Sequence, residues 1–96
     1  MDDKELYQQK KQAQLDQWKA ELDKLKAEAA EASADRKMKL NKEVEHLEGK
    51  VEEGKAKLAE IEDASEDAWA SIKEGMDSAW DSMKHAFSDA ASKFKK

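Results

Sequence analysis

Residues 31–38, EASADRKM, decide whether this chain folds back on itself or runs on as a single rod. Upstream of them, Leu15, Trp18, Leu22, Leu25, Ala29 and Ala32 alternate at spacings of three and four. That is the heptad seam of a helix packed along one stripe. Extending its frame puts Arg36 and Lys39 at core positions, where charge is costly. Downstream, a second heptad seam starts in a new phase with Leu40, Val44, Leu47, Val51, Gly54, Leu58 and Ile61. Ser33 and Asp35 are good N-cap types, and Asp35 to Lys39 is a favourable i,i+4 pair. The spacing therefore predicts a turn near 33–35. A one-residue skip in a continuous helix would shift the phase equally well, since neither Gly nor Pro enforces the break.

A second break is expected at Asp63-Ala64-Ser65-Glu66, where Glu66 could reach back to the cap in a capping box. With both breaks, the chain 1–96 is one helical domain with helices over 4–32, 35–63 and 65–95, each about 45 Å long. Near-equal lengths suit an antiparallel three-helix bundle or a helical hairpin. With neither break, the chain is one long coiled-coil helix that must find its partner in another chain. Leu6 and Tyr7 do not fit the first seam, so the N-terminal turn either frays or touches something else.

Composition supports the all-α reading. There is no Pro and no Cys, and the β-branched residues are limited to Val44, Val51, Ile61 and Ile72. Helix breakers and sheet material are both scarce. Disorder is the competing reading, since charged residues make up 43% of the chain, and such chains often bury too little to offset backbone entropy. The regular spacing of the large apolar residues favours helix. Net charge is −5, with about −2, −2 and −1 in successive thirds, and only Lys93, Lys95 and Lys96 make a locally basic end. A balance this fine argues against nucleic acid. The polar start MDDKELYQQKKQ lacks a signal-peptide core, and no apolar run approaches spanning length. A soluble cytoplasmic protein is the expectation.

The last third repeats every eleven residues: SEDAWASIKEG (65–75), MDSAWDSMKHA (76–86), FSDAASKFKK (87–96). Eleven residues in three turns stack equivalent side chains in straight rows. One row holds Trp69, Trp80 and Ala91, another Ile72, Met83 and Phe94, a third Ala68, Ala79 and Ala90. With Met76 and Phe87 they form an apolar arc of roughly 130°. Lys73, Lys84 and Lys95 border the tryptophans, and Glu66, Asp67, Asp77, Asp81 and Asp89 fill the opposite side. The candidate interaction face is thus Trp69, Ile72, Lys73, Met76, Trp80, Met83, Lys84, Phe87, Phe94 and Lys95. Such a stripe is either core, packed on the two heptad seams, or a surface for lipid headgroups or a partner. The core reading is preferred, although joining eleven-residue and heptad seams demands compromise.

Residues that carry chemistry are sparse. Glu43 and His46 match the Glu-x-x-His of di-iron bundles, but such sites need two of these motifs. His46 is expected to point outward beside Glu45. His85 lies one turn after Asp81 with no further ligand. The serines of the third segment have no base to activate them. No enzyme activity, cofactor or small-molecule substrate is expected. Gly54 sits at a seam position. A tolerated weak spot is the preferred reading there, and a close helix approach is the alternative.

The repeats resemble the amphipathic eleven-mers of apolipoproteins and of group-three late-embryogenesis-abundant proteins. The whole order, from KELYQQKKQAQLDQWKAELDKLKAEA through HLEGKVEEGKAKLAEIEDASEDAWASIKEG to SDAASKFKK, resembles a family of small bacterial coiled-coil stress-response proteins. That resemblance implies a cytoplasmic, non-enzymatic stress role and identifies no functional residue. The expected partners are a second copy or another protein, with peripheral membrane contact through residues 65–95 as the alternative.

Overall fold

Both breaks are real. The computed structural model, which describes residues 2–95, contains α1 (Asp3–Glu31), α2 (Ala34–Asp63) and α3 (Glu66–Phe94). Every boundary lies within one residue of the position expected from the seams. The two turns are the same dipeptide, Ala32-Ser33 and Ala64-Ser65, with both residues extended. In each, the alanine N–H donates to the carbonyl three residues back, Ala32 to Ala29 (3.2 Å) and Ala64 to Ile61 (3.1 Å). Ala29 and Ile61 are the last fully buried residues of their helices, so each helix stops one short step after its seam ends. No described residue has positive φ, so neither turn requires glycine.

The helix starts are unequal. Asp2 caps α1 by accepting from the Glu5 N–H at 2.8 Å, and Ser65 caps α3 by accepting from the Ala68 N–H at 3.2 Å. Ser33 makes no such bond at the start of α2. The expected capping box does not form. Asp63 is still the last residue of α2, because that helix must run on to bury Ile61, and Glu66 is the first residue of α3, too early to reach back. The Asp35–Lys39 pair is likewise not among the ion pairs of the described residues.

The three helices run up, down and up in a bundle of 50 × 20 × 18 Å, a little longer than the roughly 45 Å that each helix spans by itself. α2 packs along both neighbours, while the parallel pair α1 and α3 approach each other less closely. The core takes Leu15, Leu22, Leu25 and Ala29 from α1, the whole second seam from α2, and Met76, Trp80, Met83, Phe87 and Ala90 from α3. Among the described residues no polar or charged residue is buried. Each fully buried Leu, Met or Ile contributes roughly 1.5–3 kcal/mol, and this term holds the bundle together.

Neither α1 nor α2 has a basic residue in its last turn. The orphan carbonyls at the end of α2 are met from outside. Lys4 of α1 donates to the Ala64 carbonyl (2.7 Å) and the Glu62 carbonyl (3.2 Å). Arg36 of α2 does the same for α3, donating to the Phe94 carbonyl at 3.3 Å. A cation from the start of one helix thus covers the negative end of the next, which satisfies acceptors and dipole together.

Gly54 corrects the weak-spot reading. A Cβ there would lie 2.8 Å from Met83 Cε and 3.2 Å from both Leu15 Cδ1 and Trp80 Cη2. The glycine is a notch through which α3 and α1 reach α2. Gly49 and Gly75 have nothing within 4 Å of an added Cβ. Gly49→Ala and Gly75→Ala should each gain about 0.5–1 kcal/mol in urea denaturation, the ordinary helix benefit. Gly54→Ala should fall below both by on the order of 1–3 kcal/mol, as overpacking cancels that benefit. Equal gains at all three positions would show that the notch is not tight.

Candidate interaction face

The structure divides the expected face in two. Met76, Trp80, Met83 and Phe87 are buried against α1 and α2. Trp69, Ile72 and Phe94 are half-buried, and Lys73, Lys84 and Lys95 are exposed. The preferred core reading thus describes the centre of the stripe, and its border is what remains at the surface.

The conflict of periods is resolved by burying a heptad line inside an eleven-residue pattern. Met76, Trp80, Met83, Phe87 and Ala90 advance by four and three, matching the seams opposite. A heptad line drifts only about 20° per repeat on a straight helix, so it stays within the wide apolar arc for the length of α3. The straight rows consequently cross the interface at a slant. In the alanine row, Ala68 is exposed, Ala79 half-buried and Ala90 buried.

At mid-bundle the aromatic rings meet. Trp18 lies 5.9 Å from Trp80 at a tilt of 54° and stacks on Phe87 at 5.9 Å and 15°, geometries that favour aromatic pairs. The Trp80 indole N–H is buried without an acceptor among the described residues. Lower down, the α1 seam continues as Lys4, Gln8 and Lys11. Polar rim contacts there replace core. Tyr7 tilts against Trp69 at 5.9 Å. Lys11 lies 5.3 Å from the Tyr7 ring and 5.6 Å from that of Trp80, and Lys73 lies 5.4 Å from Tyr7 and 5.8 Å from Trp69.

Asp77 ties this rim together, and it corrects the placement of that residue on the outer acidic side. The Tyr7 hydroxyl donates to its carboxylate and also to the Lys73 carbonyl at 3.3 Å. Lys11 pairs with the same carboxylate at 3.3 Å. The bond from Tyr7 holds the Asp77 carboxyl below its ordinary range, helped by the bond and charge of Lys11 and the charge of Lys73, and opposed by slight burial. The Tyr7 phenol is pushed well above its ordinary value, first by burial and then by its bond to Asp77 and that residue's negative charge. Tyr7 therefore does touch something, as its misfit to the seam allowed. The part played by Lys11 and Asp77 was not read from sequence, although continuing the heptad frame upstream places Lys11 at an inward position.

The chemistry-bearing candidates stay apart. His46 is exposed, and Glu43 is taken up by Lys93 at 2.7 Å, which raises the lysine above its ordinary pKa. His85 is exposed and lies 3.7 Å from Asp81. Among the described residues no three His, Cys, Asp or Glu side chains converge on a metal-sized space. None of their helices is long and apolar enough to cross a membrane. Comparison with protein-family models, curated proteins and solved structures gave no match.

The Tyr7–Asp77 contact predicts a pH signature. A carboxylate whose pKa is lowered by folding contributes stability above its unfolded value, about 3.9, and loses it as pH falls through the folded value. A phenol raised by folding contributes below about pH 10 and loses that contribution as pH rises through its folded value. The rim is therefore intact from about pH 5 to 9. In Tyr7→Phe, stability should fall by about 1 kcal/mol, and the Asp77 carboxyl, followed by carbon NMR, should titrate at higher pH than in the wild type. An unchanged titration would mean that Tyr7 does not hold it.

Proposed function

We propose that this protein works without chemistry, as a helical bundle that binds other proteins by helix–helix contact and serves a bacterial stress response. The observation that carries the reading is the division of α3. Its Met76, Trp80, Met83 and Phe87 line is stored in the core, Trp80 and Met83 against a glycine notch, while Trp69, Lys73, Lys84 and Phe94 stay at the rim within reach of a partner. The stored line has heptad spacing, so the seam of a partner helix could replace α1 or α2 opposite it. Met76 and Met83 lend it adaptability, since flexible thioether chains repack at low cost. The seams close within one chain, which supports a module that folds alone and associates by exchange. The stress role comes from the resemblance of the whole sequence to the small bacterial coiled-coil family.

The alternative, an α3 laid on a membrane, draws on the same border of tryptophan and lysine. It requires α3 to leave the bundle, at a cost of roughly 1.5–3 kcal/mol for each large core side chain exposed. Geometry favours the protein partner, because a partner helix restores the lost heptad contacts row by row.

Complementation separates packing from chemistry. In a bacterium lacking this gene and challenged by osmotic or heat stress, His46→Ala/His85→Ala should restore survival as the wild type does. Trp69→Ala/Phe94→Ala changes only the half-buried rim and should cut survival while leaving the helical circular dichroism intact. Loss of function in the histidine variant would overturn the non-enzymatic reading. Full function in the rim variant would overturn the partner face.

A further inference from the structure

The first turn is written in helix formers. Five of the eight residues 27–34, AEAAEASA, are alanine, the strongest helix former. Ala27, Ala30 and Ala34 are exposed, where packing does not select them. This turn is also the less fastened of the two. Ser65 caps α3, and Lys4 covers the carbonyls at the end of α2. Ser33 gives α2 no side-chain cap, and among the described residues no side chain donates to the last carbonyls of α1. Straightening the turn into helix would pair these orphan donors and acceptors with one another. The seams permit it. The phase change that breaks a supercoiled heptad frame is a step of eleven residues, from Ala29 to Leu40, and a straight helix absorbs that step in three turns. At about 100° per residue, every seam residue from Leu15 to Ile61 then falls within about 100° of arc. Between Ala29 and Leu40 the stripe is filled by Ser33 and Arg36.

We propose that two copies of this chain exchange α1, the Ala32-Ser33 turn straightening so that each α1 closes the bundle of the other copy. Asp3–Asp63 then forms one helix about 90 Å long, antiparallel to its equivalent across a two-fold axis. Each α1 meets in the second copy the residues it leaves in its own: Leu15 the Gly54 notch, Tyr7 and Lys11 the Asp77 carboxylate, Lys4 the Ala64 carbonyl. Arg36 keeps its bond to the Phe94 carbonyl, because α2 and α3 of one chain stay together. Every core contact is remade, so monomer and dimer differ by two turns converted to helix, set against the entropy of association. α1 is the helix to exchange because its contact with α3 is light, and its departure leaves Trp80 and Met83 seated on Gly54. The inference rests on the exchange reading above and names a second copy as the partner.

Sedimentation of the full-length chain tests it, up to about 1 mM, on the order of the effective concentration that a short tether gives α1. Dimer should appear as concentration rises. Ser33→Ala removes no cap bond and adds helix propensity at two turns per dimer, so it should raise the association constant about fivefold. Ala34→Pro puts proline at the first position of α2, after an extended Ser33 that suits it. It should keep the helical circular dichroism of the monomer and lower association by roughly ten-thousandfold or more, because proline interrupts the straightened helix twice per dimer. Lys26 and Glu48 pair at 3.2 Å. In a mixture of Lys26→Cys and Glu48→Cys chains, a short bismaleimide should therefore join unlike chains in the dimer fraction. Monomer throughout, in both wild type and Ser33→Ala, would overturn the proposal, as would a dimer that survives Ala34→Pro. Cross-linking of Lys93→Cys to Glu43→Cys chains, in place of the first pair, would overturn it in favour of an exchanged α3. If the chain stays monomeric while Trp69→Ala/Phe94→Ala still cuts survival, the second copy is excluded and exchange with other proteins stands.

Discussion

The central helix holds the structure together. Every seam position of α2 from Leu40 to Ile61 is buried, and both other helices pack on it more closely than on each other. The steric condition that makes this possible is Gly54. With no side chain there, Leu15 from one side and Trp80 and Met83 from the other converge on a single point of the α2 backbone. At the other six seam positions the flanking helices meet α2 through its side chains, and at Gly54 they meet its backbone.

Periodicity shapes the rest. α1 and α2 carry heptad seams, α3 an eleven-residue pattern, and the bundle reconciles them by selecting one heptad path across a broad apolar face. The unused part of that face becomes a rim, where Trp69 meets Tyr7, and lysines lie over both rings. The α1 seam is apolar only from Leu15 onward. Below it, the parallel contact with α3 is made by an ion pair, a phenol and cation–π neighbours, each worth far less than a buried leucine. The bundle is consequently firm along α2 and lightly fastened between α1 and α3.

Most of the architecture was legible because the chain is written in simple periods. The change of phase between Ala32 and Leu40 located the first turn, since a wrong-phase seam would have buried Arg36 and Lys39. What escaped depends on three-dimensional neighbours. Gly54 looked like a defect until Met83 and Trp80 were seen to fill its space. Asp77 looked like one more acid on a solvated side until Tyr7 and Lys11, nearly seventy positions away, were placed opposite it. One signal was present and unread. Both turns are an Ala-Ser pair with an aspartate two residues on, and the other Ala-Ser pairs, at 70–71 and 91–92, are followed there by Lys73 and Phe94. Of the candidate face, spacing could not say which members would be covered, and Met76, Trp80, Met83 and Phe87 are.

Three rods joined by two short turns make an odd number, and this separates the ends of the polypeptide. Most compact domains bring their termini near one another, but here Asp2 and Lys95 lie at opposite ends of a 50 Å axis. A circular permutant would need a linker of about 15 extended residues simply to span that distance. Anything fused to both termini would be held apart by the full height of the bundle, which makes the fold a ready-made spacer.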